Sequence, residues 1–562
     1  MQSGILDRLD RTGERPIRAH ASVERSFLGV GIGLRSDRAR AIFAGTIAVS
    51  TLLAAAILRF AILGSSDLFR DEGASWLVAR YPLDQMVSHV STEPYPPLYF
   101  AVLKAWIALI GDSAAAMRTL SAIAGLGTVC ITWAWSRAAI GRGAAVVAGI
   151  VVGVAPLAVA ESREVRMYAL ETLFATSSWW ALWSLLVADP GMRRSTWLIA
   201  SLAALAVAGA LWTMPTGVVV VGLQVAVIAF LALNGNRGAG PAALALAAGV
   251  AAWLPWLPSL LGAASAERAY WTGPPALDSV PLAVQSMLGG AVAPPLYLVL
   301  VLLLLAAIGL VHLFLQHGAT ARTTALVVLG GVSLIGAWWL VSLVRAAYDV
   351  RYLGAALPFL AMAIGAGTWR LWLVVRPFVR PAVGLATIAA VAGFYASATG
   401  VHLQELNGAV APTRAVILEL ERRVSPGDVV LAVDSRSYFG LAYEVAQPAG
   451  EALAATVSVR YWRSGREPRY FGSGLIAIDQ TVTPQESERE GRFVMPGLAT
   501  SGSIWVVALT NGIHELDRFA PLAAGQVRLV DRIQVRSRGV SAAIFRIKLS
   551  SDQLGAVAPR SS

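Results

Sequence analysis

The chain has 562 residues, of which 56% are apolar and 14% are charged, and its mean hydropathy is +0.63. Soluble domains carry roughly 25% charged residues, so this composition excludes an ordinary soluble enzyme and favours a membrane protein. The single cysteine, Cys130, excludes both a disulfide framework and a cysteine-based metal site.

The 45 basic residues exceed the 34 acidic residues by 11. This excess alone does not indicate a nucleic-acid partner, because such a surface needs arginines clustered on one soluble face. Residues 1–40 contain eight arginines and no long apolar run, which predicts a flexible cytoplasmic arm.

A bilayer core of about 30 Å needs about 20 apolar helical residues. The run at 41–63 has this length and no cleavage pattern, so we predict an uncleaved anchor. Eleven further apolar runs follow, at 97–111, 119–138, 144–160, 168–188, 196–213, 215–233, 241–262, 293–315, 324–345, 352–374 and 382–400.

The run at 97–111 decides the topology, because it is short and contains Lys104. If it lies at the outer surface, five successive basic loops face the cytoplasm, as the positive-inside rule requires. Those loops carry Arg137 and Arg142, Arg193 and Arg194, Arg237, Arg322, and Arg370, Arg376 and Arg380. We therefore predict a polytopic α-helical membrane domain over 41–400, with eleven spanning helices and one external juxtamembrane helix.

The composition changes after residue 400. Three β-rich runs at 429–433, 504–509 and 542–547 accompany plausible helices at 412–424 and 437–446. These patterns predict a small extracytoplasmic α/β domain over 401–562. The role expected for this domain is to cap the site or engage the acceptor, with stabilisation of the helix bundle as the alternative.

Two charged motifs follow the first span. Asp71 and Glu72 are adjacent carboxylates at a membrane edge, where they could act as a general base for an acceptor hydroxyl; a solvated loop paired with Arg70 is the alternative. Glu93 and Tyr95 precede a Pro-Pro pair that is also typical of a helix start with aromatic interface anchors.

Lys104 lies about two helical turns beyond the Pro-Pro pair. It could reach a lipid phosphate, although snorkelling towards the membrane surface is the more common use of such a lysine.

A third motif lies between two apolar helices and contains four charges in six residues. Glu161 and Glu164 lie one turn apart if the segment is helical, and Arg163, Arg166 and Tyr168 accompany them. An interhelical ion-pair cluster is the alternative to a functional site here.

The fourth motif, at the outer end of a span, contains Arg351, whose guanidinium could hold a phosphate bidentately. Pairing with Asp349 or with lipid headgroups is the alternative.

Together these motifs, with Arg351-Tyr352-Leu353 and Pro358 as the last, resemble the GT-C superfamily of membrane glycosyltransferases over about residues 41–400. The similarity is to bacterial relatives of dolichyl-phosphate-mannose protein mannosyltransferases and of the lipid A aminoarabinose transferase. One position departs from the pattern: relatives often have a histidine before the Pro-Pro pair, where this chain has Tyr95, and Glu93 is a candidate polar substitute.

The resemblance implies a transferase that moves one sugar from a polyprenyl-phosphate carrier to a lipid, glycan or protein acceptor at the outer face. It assigns the catalytic base to Asp71, with Glu72 beside it, and a second-loop acid to Glu161 or Glu164. Tyr168, Glu93 and Tyr95 would position acceptor or donor. The carrier phosphate would contact Arg163, Arg166 and Arg351, with Lys104 a further candidate.

Displacement of a lipid phosphate from an anomeric carbon needs a carboxylate for the attacking hydroxyl and fixed positive charge for the leaving phosphate. We therefore expect direct displacement with inversion. Because arginines can neutralise the phosphate, no metal or other cofactor is required, and we find no Gly-rich nucleotide loop.

Two other classes of protein are compatible with a helical membrane domain. A transporter or flippase would show paired halves with broken helices at the midplane, and no such repeat is visible. A membrane scaffold without catalysis would not need the Asp71-Glu72 pair.

The external loop at 263–292, with Glu267, Arg268, Tyr270 and Trp271, is expected to be a lid or an interfacial belt. The predicted location is the bacterial plasma membrane, with a cytoplasmic N-terminus and an external active site. The oligomeric state is not predicted.

Overall fold

The computed structural model describes most of the predicted membrane domain and much of the C-terminal domain. The described residues are 37–68, 70–91, 93, 95–188, 193–265, 273–290, 296–375, 393, 399–400, 412–433, 435–462, 476, 481–482, 485–487, 492–494, 503–509, 527–537 and 540–549. Most of the predicted arm, nearly all of the run at 382–400, and Glu267, Arg268, Tyr270 and Trp271 lie outside them.

Helices make up the N-terminal two thirds of the described chain. In order they are α1 Asp37–Phe60, α2 Arg70–Arg80, α3 Leu83–Ser91, α4 Leu98–Ile110, α5 Ala114–Ala139, α6 Arg142–Val154, α7 Pro156–Glu161, α8 Tyr168–Leu186, α9 Arg193–Thr213, α10 Thr216–Leu233, α11 Ala239–Trp253, α12 Leu257–Ser265, α13 Ser279–Gly289, α14 Leu296–Leu315, α15 Ala319–Val332, α16 Leu334–Val344 and α17 Leu357–Val375.

Within the described residues, seven helical stretches are long and apolar enough to cross a membrane. They are Ala114–Ala139, Thr196–Thr213, Thr216–Leu233, Ala239–Ala263, Tyr297–Leu315, Ala319–Val344 and Gly354–Val375. Shorter apolar helices occupy Gly45–Phe60, Leu98–Ile110 and Arg142–Val154. A polytopic helical membrane protein is thus confirmed, and the count of eleven spans stays a prediction.

Local sequence explains where individual helices begin and end. The Ser113 hydroxyl oxygen accepts a hydrogen bond from the Ala116 backbone amide at 3.2 Å and so caps α5. The predicted single run at 144–160 is divided into α6 and α7, because Pro156 cannot continue a helix but fits the first position of a new one. Gly309 of α14 lies so close to α17 that a Cβ would be 2.7 Å from the Gly367 nitrogen, so small residues allow these two helices to pack.

The C-terminal domain contains the predicted strands. Its elements are α18 Thr413–Glu421, β1 Val429–Ala432, α19 Ser435–Val445, α20 Glu451–Thr456, β2 Ser458–Trp462, β3 Thr481–Val482, β4 Gln485–Ser487, β5 Arg492–Val494, β6 Ile504–Ala508, β7 Val527–Ser537 and β8 Val540–Leu549.

The main sheet has the strand order β3-β2-β1-β6-β8-β7. The first four strands are parallel, and β8 and β7 extend the sheet in antiparallel fashion. Every residue of β1 and β6 is buried, as expected for central strands covered on both faces. The predicted small α/β domain is therefore confirmed.

The C-terminal domain packs on helix α2 of the predicted membrane domain. The Phe439 carbonyl oxygen of α19 lies 2.9 Å from the position that a Cβ on Gly73 of α2 would occupy. Beside it, the rings of Trp76 and Tyr443 meet edge to face with centroids 5.4 Å apart. The helix that begins with the Asp71-Glu72 motif is therefore held by α19 of the C-terminal domain.

Candidate active site

The first and third charged motifs meet in space. Asp71 and Glu72 lie in the first turn of α2, and the segment 162–167 joins α7 to α8. The backbone amide of Val165 donates to Glu72 Oε1 at 2.9 Å. This contact joins two loops that are more than ninety residues apart in sequence.

Glu72 and Arg118 form a buried ion pair. We call this pair, together with the backbone carbonyls that Arg118 binds, the anchoring cluster. Arg118 donates from Nε and Nη2 to the two Glu72 carboxylate oxygens at 2.8 and 2.7 Å. It also donates to the carbonyls of Leu63 and Asp67 at 2.6 and 3.0 Å. The side chains are only 6% and 3% exposed. Both Glu72 oxygens therefore have fixed donors and hold backbone in place.

Asp71, one residue earlier, lies in a more open group that also contains Glu164, Arg166 and Arg351, which we call the open cluster. Asp71 Oδ2 is 3.6 Å from Arg351 Nη1, and the two side chains are 20% and 36% exposed. Asp71 Oδ1 accepts from Arg70 Nε at 2.8 Å. Burial alone would raise the pKa of Asp71, but the surrounding guanidinium groups outweigh it and hold that pKa below its usual range.

Arg166 is the most enclosed cation of the open cluster. Its guanidinium lies 5.3 Å from the ring centroid of Tyr95 and 5.7 Å from that of Tyr168. Its Nη1 donates to Ser75 Oγ at 3.3 Å, while its buried Nε has no hydrogen-bond partner among the described residues. Two aromatic rings therefore hold the Arg166 guanidinium in place, and its Nε–H remains available as a donor.

Glu164 is the titratable acid of the open cluster. Burial raises the pKa of this carboxyl to about 7, and the negative charges of Glu72 and Asp71 add to the effect. The guanidinium groups of Arg351 and Arg166 oppose it. Glu164 therefore changes charge near neutral pH, whereas Asp71 stays ionised.

Glu161 has different surroundings from Glu164, although the two carboxylates lie close enough for their charges to interact with each other and with Arg351. It is 4% exposed and lines a cavity of about 10 Å³, which is close to the smallest space that holds one water molecule. A side chain at Gly354 would collide with its carboxylate. Glu161 thus packs against the segment that follows Arg351.

Two predicted phosphate ligands bind helix ends. Arg163 Nη1 donates to three backbone carbonyls at or just after the end of α1, at 2.8–3.3 Å. Lys104 Nζ donates to two carbonyls at the end of α2, at 3.0 and 3.2 Å. Cations at helix C-terminal ends are stabilising. The described contacts therefore do not bring Arg163 or Lys104 into the open cluster.

Tyr95 lies against Arg166 of the open cluster, and Glu93 precedes it by two residues. Glu93 is 3% exposed. The Tyr95 hydroxyl is 3.3 Å from that of Tyr352, and both tyrosines line a cavity of about 110 Å³. Because Arg166 lies against the Tyr95 ring, this cavity is next to the open cluster.

Sequence reasoning missed two buried arginines. Arg118 stands just before an apolar run, and Arg59 lies near the end of the first one. Arg59 is fully buried and donates to the Gly153 carbonyl at 2.7 Å and to Ser162 Oγ at 3.2 Å. The available signal was a charge inside or beside a spanning run, which is costly unless it has partners.

The described residues contain no group of three or more His, Cys, Asp or Glu side chains placed to hold a metal ion. The charged groups of the anchoring and open clusters are carboxylates and guanidiniums, which suit proton transfer and binding of a phosphate.

A family model described as dolichyl-phosphate-mannose-protein mannosyltransferase matches residues 94–259. No curated protein matches the chain by sequence. With the fold, this match confirms the resemblance to the GT-C class of membrane glycosyltransferases.

Within that class, the similarity to ArnT from Cupriavidus metallidurans extends over nearly the whole chain. Its apo structure has a TM-score of 0.60 and 13% identity, covering 92% of this chain and all of that one. ArnT bound to undecaprenyl phosphate gives a TM-score of 0.57 and 13% identity, covering 89% of this chain and 97% of that one. At this identity the similarity shows a shared fold.

Proposed function

We propose that this protein is an inverting glycosyltransferase that moves a single sugar from a polyprenyl-phosphate carrier to a lipid, glycan or protein acceptor at the outer face of the membrane. The observation that carries the proposal is the open cluster. Asp71 lies 3.6 Å from Arg351, beside an Arg166 that aromatic rings hold against a cavity. A carboxylate and two guanidiniums in one partly exposed group suit this reaction.

The reaction needs a base for the acceptor. In the proposed step, an acceptor hydroxyl oxygen forms a bond to the anomeric carbon, and the bond from that carbon to the carrier phosphate oxygen breaks. The hydroxyl proton passes to Asp71. The lowered pKa of Asp71 keeps the carboxylate ionised and so available to accept this proton.

The leaving phosphate needs positive charge at the point where charge develops. Arg351 is 36% exposed and bound to acids through weak or partly solvated contacts, so a phosphate can replace part of that network. Arg166 contributes a charge that is already fixed in orientation. We assign carrier phosphate binding to these two arginines and leave Arg163 and Lys104 out of the site.

Neighbouring side chains position these groups. Glu72 has both oxygens occupied in the anchoring cluster, so we assign it to positioning α2 and not to proton transfer. Glu164 is the second acid of the site because it shares charges with Asp71 and Arg351. Tyr95 and Tyr168 hold Arg166, and Glu161 and Glu93 support the loops from within.

Two comparisons support the proposal without deciding the donor. The matching family is described as one that uses dolichyl-phosphate mannose, and ArnT has been observed with undecaprenyl phosphate. From these comparisons we propose that the donor is a lipid-linked sugar and that no cofactor is required. We also propose that the protein lies in the bacterial inner membrane with the open cluster on the outer side. The packing of α19 on α2 favours stabilisation of the site as one task of the C-terminal domain.

The test uses the purified full chain in lipid nanodiscs with undecaprenyl phosphate carrying mannose, glucose, galactose or arabinose. Extracted membrane glycolipids and glycans serve as acceptors. We expect mass spectrometry to detect free undecaprenyl phosphate with at least one donor, and the product to have inverted anomeric configuration. Retention would overturn the direct displacement. Absence of transfer with every donor, despite carrier binding, would favour a flippase or a scaffold.

A further inference from the structure

The cavity beside the open cluster has aromatic walls. It is about 110 Å³ in volume and is lined by Tyr95, Trp338 and Tyr352, together with apolar side chains that include Met214 and Leu260. One charged residue, Arg345, also lines it, and its Nη2 donates to the Ala263 carbonyl at 3.2 Å. The Trp338 indole nitrogen donates to the Ala347 carbonyl at 3.1 Å, so its hydrogen bond is already used. The walls therefore offer mostly apolar contact surface, with the Arg345 guanidinium as a charged group among them.

Thr216 provides a polar group in this cavity, and its hydroxyl has a fixed orientation. Its Oγ1 donates to Glu171 Oε1 at 2.6 Å. Glu171 lies in the first turn of α8 and Thr216 in the first turn of α10, and each is only 1% exposed. The proton of the Thr216 hydroxyl thus points away from the cavity, towards a buried carboxylate.

A hydroxyl has one proton to donate and two lone pairs that accept. Because Thr216 gives its proton to Glu171, it can only accept a hydrogen bond from whatever occupies the cavity. An isoprenoid chain has no donor, so it gains no hydrogen bond from this acceptor. A sugar hydroxyl supplies the missing donor, and its ring presents apolar C–H groups to aromatic walls.

The volume agrees with a small occupant. Sites for drug-sized ligands measure roughly 300–1,000 Å³, well above the size of this cavity. The cavity also lies against Arg166 through the Tyr95 ring, which places it next to the proposed phosphate position.

We propose that this cavity holds the transferred sugar of the donor and that Thr216, oriented by Glu171, accepts a hydrogen bond from one hydroxyl of that sugar. The inference rests on the proposed function, since it assumes a lipid-phosphate sugar donor. It adds a residue pair that determines which sugars are accepted: a sugar must present a donor at the Thr216 position.

The experiment measures dissociation constants in nanodiscs for wild type, Thr216→Val and Thr216→Ser. The ligands are bare undecaprenyl phosphate, the four glycosylated forms, and derivatives of each with one hydroxyl at a time replaced by fluorine, which cannot donate. The matched control is Thr119→Val, because the Thr119 hydroxyl bonds to a carbonyl of its own helix.

We expect Thr216→Val to weaken the glycosylated donor about tenfold, the effect of one buried hydrogen bond, and to change the affinity for bare undecaprenyl phosphate less than twofold. Thr216→Ser should retain wild-type affinity. One fluorinated derivative should bind wild type about tenfold more weakly than the unmodified donor does. The same derivative and the unmodified donor should bind Thr216→Val with equal affinity. This comparison on the ligand does not depend on the stability of the variant.

Three results would overturn the proposal while leaving the proposed function intact. They are equal weakening of bare and glycosylated carrier by Thr216→Val, equal fluorine effects in both proteins, and an increase in acceptor KM with unchanged donor affinity, which would place an acceptor sugar in the cavity. If wild type binds undecaprenyl phosphate but transfers no sugar from any donor, the proposed function fails instead.

Discussion

The anchoring cluster and the open cluster begin at adjacent residues and differ in every physical respect. Glu72 is enclosed by a guanidinium and a backbone amide, whereas Asp71 shares partly exposed arginines that a phosphate can reach. A buried pair loses its solvation and is rigid, while an exposed one exchanges partners at small cost. The comparison teaches that a carboxylate serves structure or chemistry according to the partners around it.

The largest effect is expected at Asp71. Asp71→Asn removes the proposed base and should lower the single-turnover rate about 10²- to 10⁴-fold, with donor affinity unchanged or improved because a negative charge near the phosphate is lost. Quenched-flow measurement of released undecaprenyl phosphate checks this. Asp84→Asn, on the exposed side of α3, is the control and should keep the wild-type rate. A rate within a few fold of wild type would exclude Asp71 as the base.

The anchoring cluster predicts a loss of stability. Arg118→Met leaves Glu72 buried without its cation, which costs about 3–5 kcal/mol. We expect the Tm of the detergent-solubilised protein to fall by several degrees, as followed by tryptophan fluorescence. Arg322→Met, at an exposed position in α15, should leave Tm unchanged. An unchanged Tm for Arg118→Met would contradict the structural assignment.

Arg351 should affect the carrier more than the fold. Arg351→Lys keeps the charge but loses the planar pair of donors, so the dissociation constant for undecaprenyl phosphate should rise about tenfold with little change in Tm. Arg322→Lys is the matched control. If carrier affinity is unaffected by Arg351→Lys, the phosphate binds elsewhere.

The smallest effect concerns pH. Glu164, with its pKa raised to about 7, is neutral below that pH and negative above it. We expect the dissociation constant of a glycosylated carrier, a diester that gains no proton in this range, to rise about threefold to tenfold from pH 6 to pH 8. Glu164→Gln should abolish this dependence. A pH profile that is identical in the variant would remove Glu164 from the open cluster.

Sequence patterns predicted the helices and strands well because each depends on nearby residues. The β-rich runs became β1, β6 and β8, and the long apolar runs within the described residues became helices. The break at Pro156 follows from local chemistry that could have been read. The packing of α19 on α2 could not be predicted, since it joins segments more than three hundred residues apart.

The sequence predicted the motifs of the candidate site and, through the resemblance, roles for their residues, but it did not show which of these residues lie together. The spacing of Glu161 and Glu164 suggested a shared helical face, yet α7 ends at Glu161, so Glu164 lies in the segment that follows the helix. Likewise, Arg163 binds the end of α1 whereas Arg166 lies between two tyrosines. These roles depend on partners from distant segments, which spacing alone does not reveal.

The most direct test of the account measures Asp71→Asn and Glu72→Gln side by side, recording the single-turnover rate and Tm of each in the same preparation. The account predicts a crossed result. Asp71→Asn lowers the single-turnover rate and keeps the wild-type Tm, whereas Glu72→Gln lowers Tm and affects the rate less than Asp71→Asn does. If both variants lose rate and stability in the same proportion, or if Glu72→Gln alone abolishes transfer in a stable protein, the division between anchoring and open clusters is wrong.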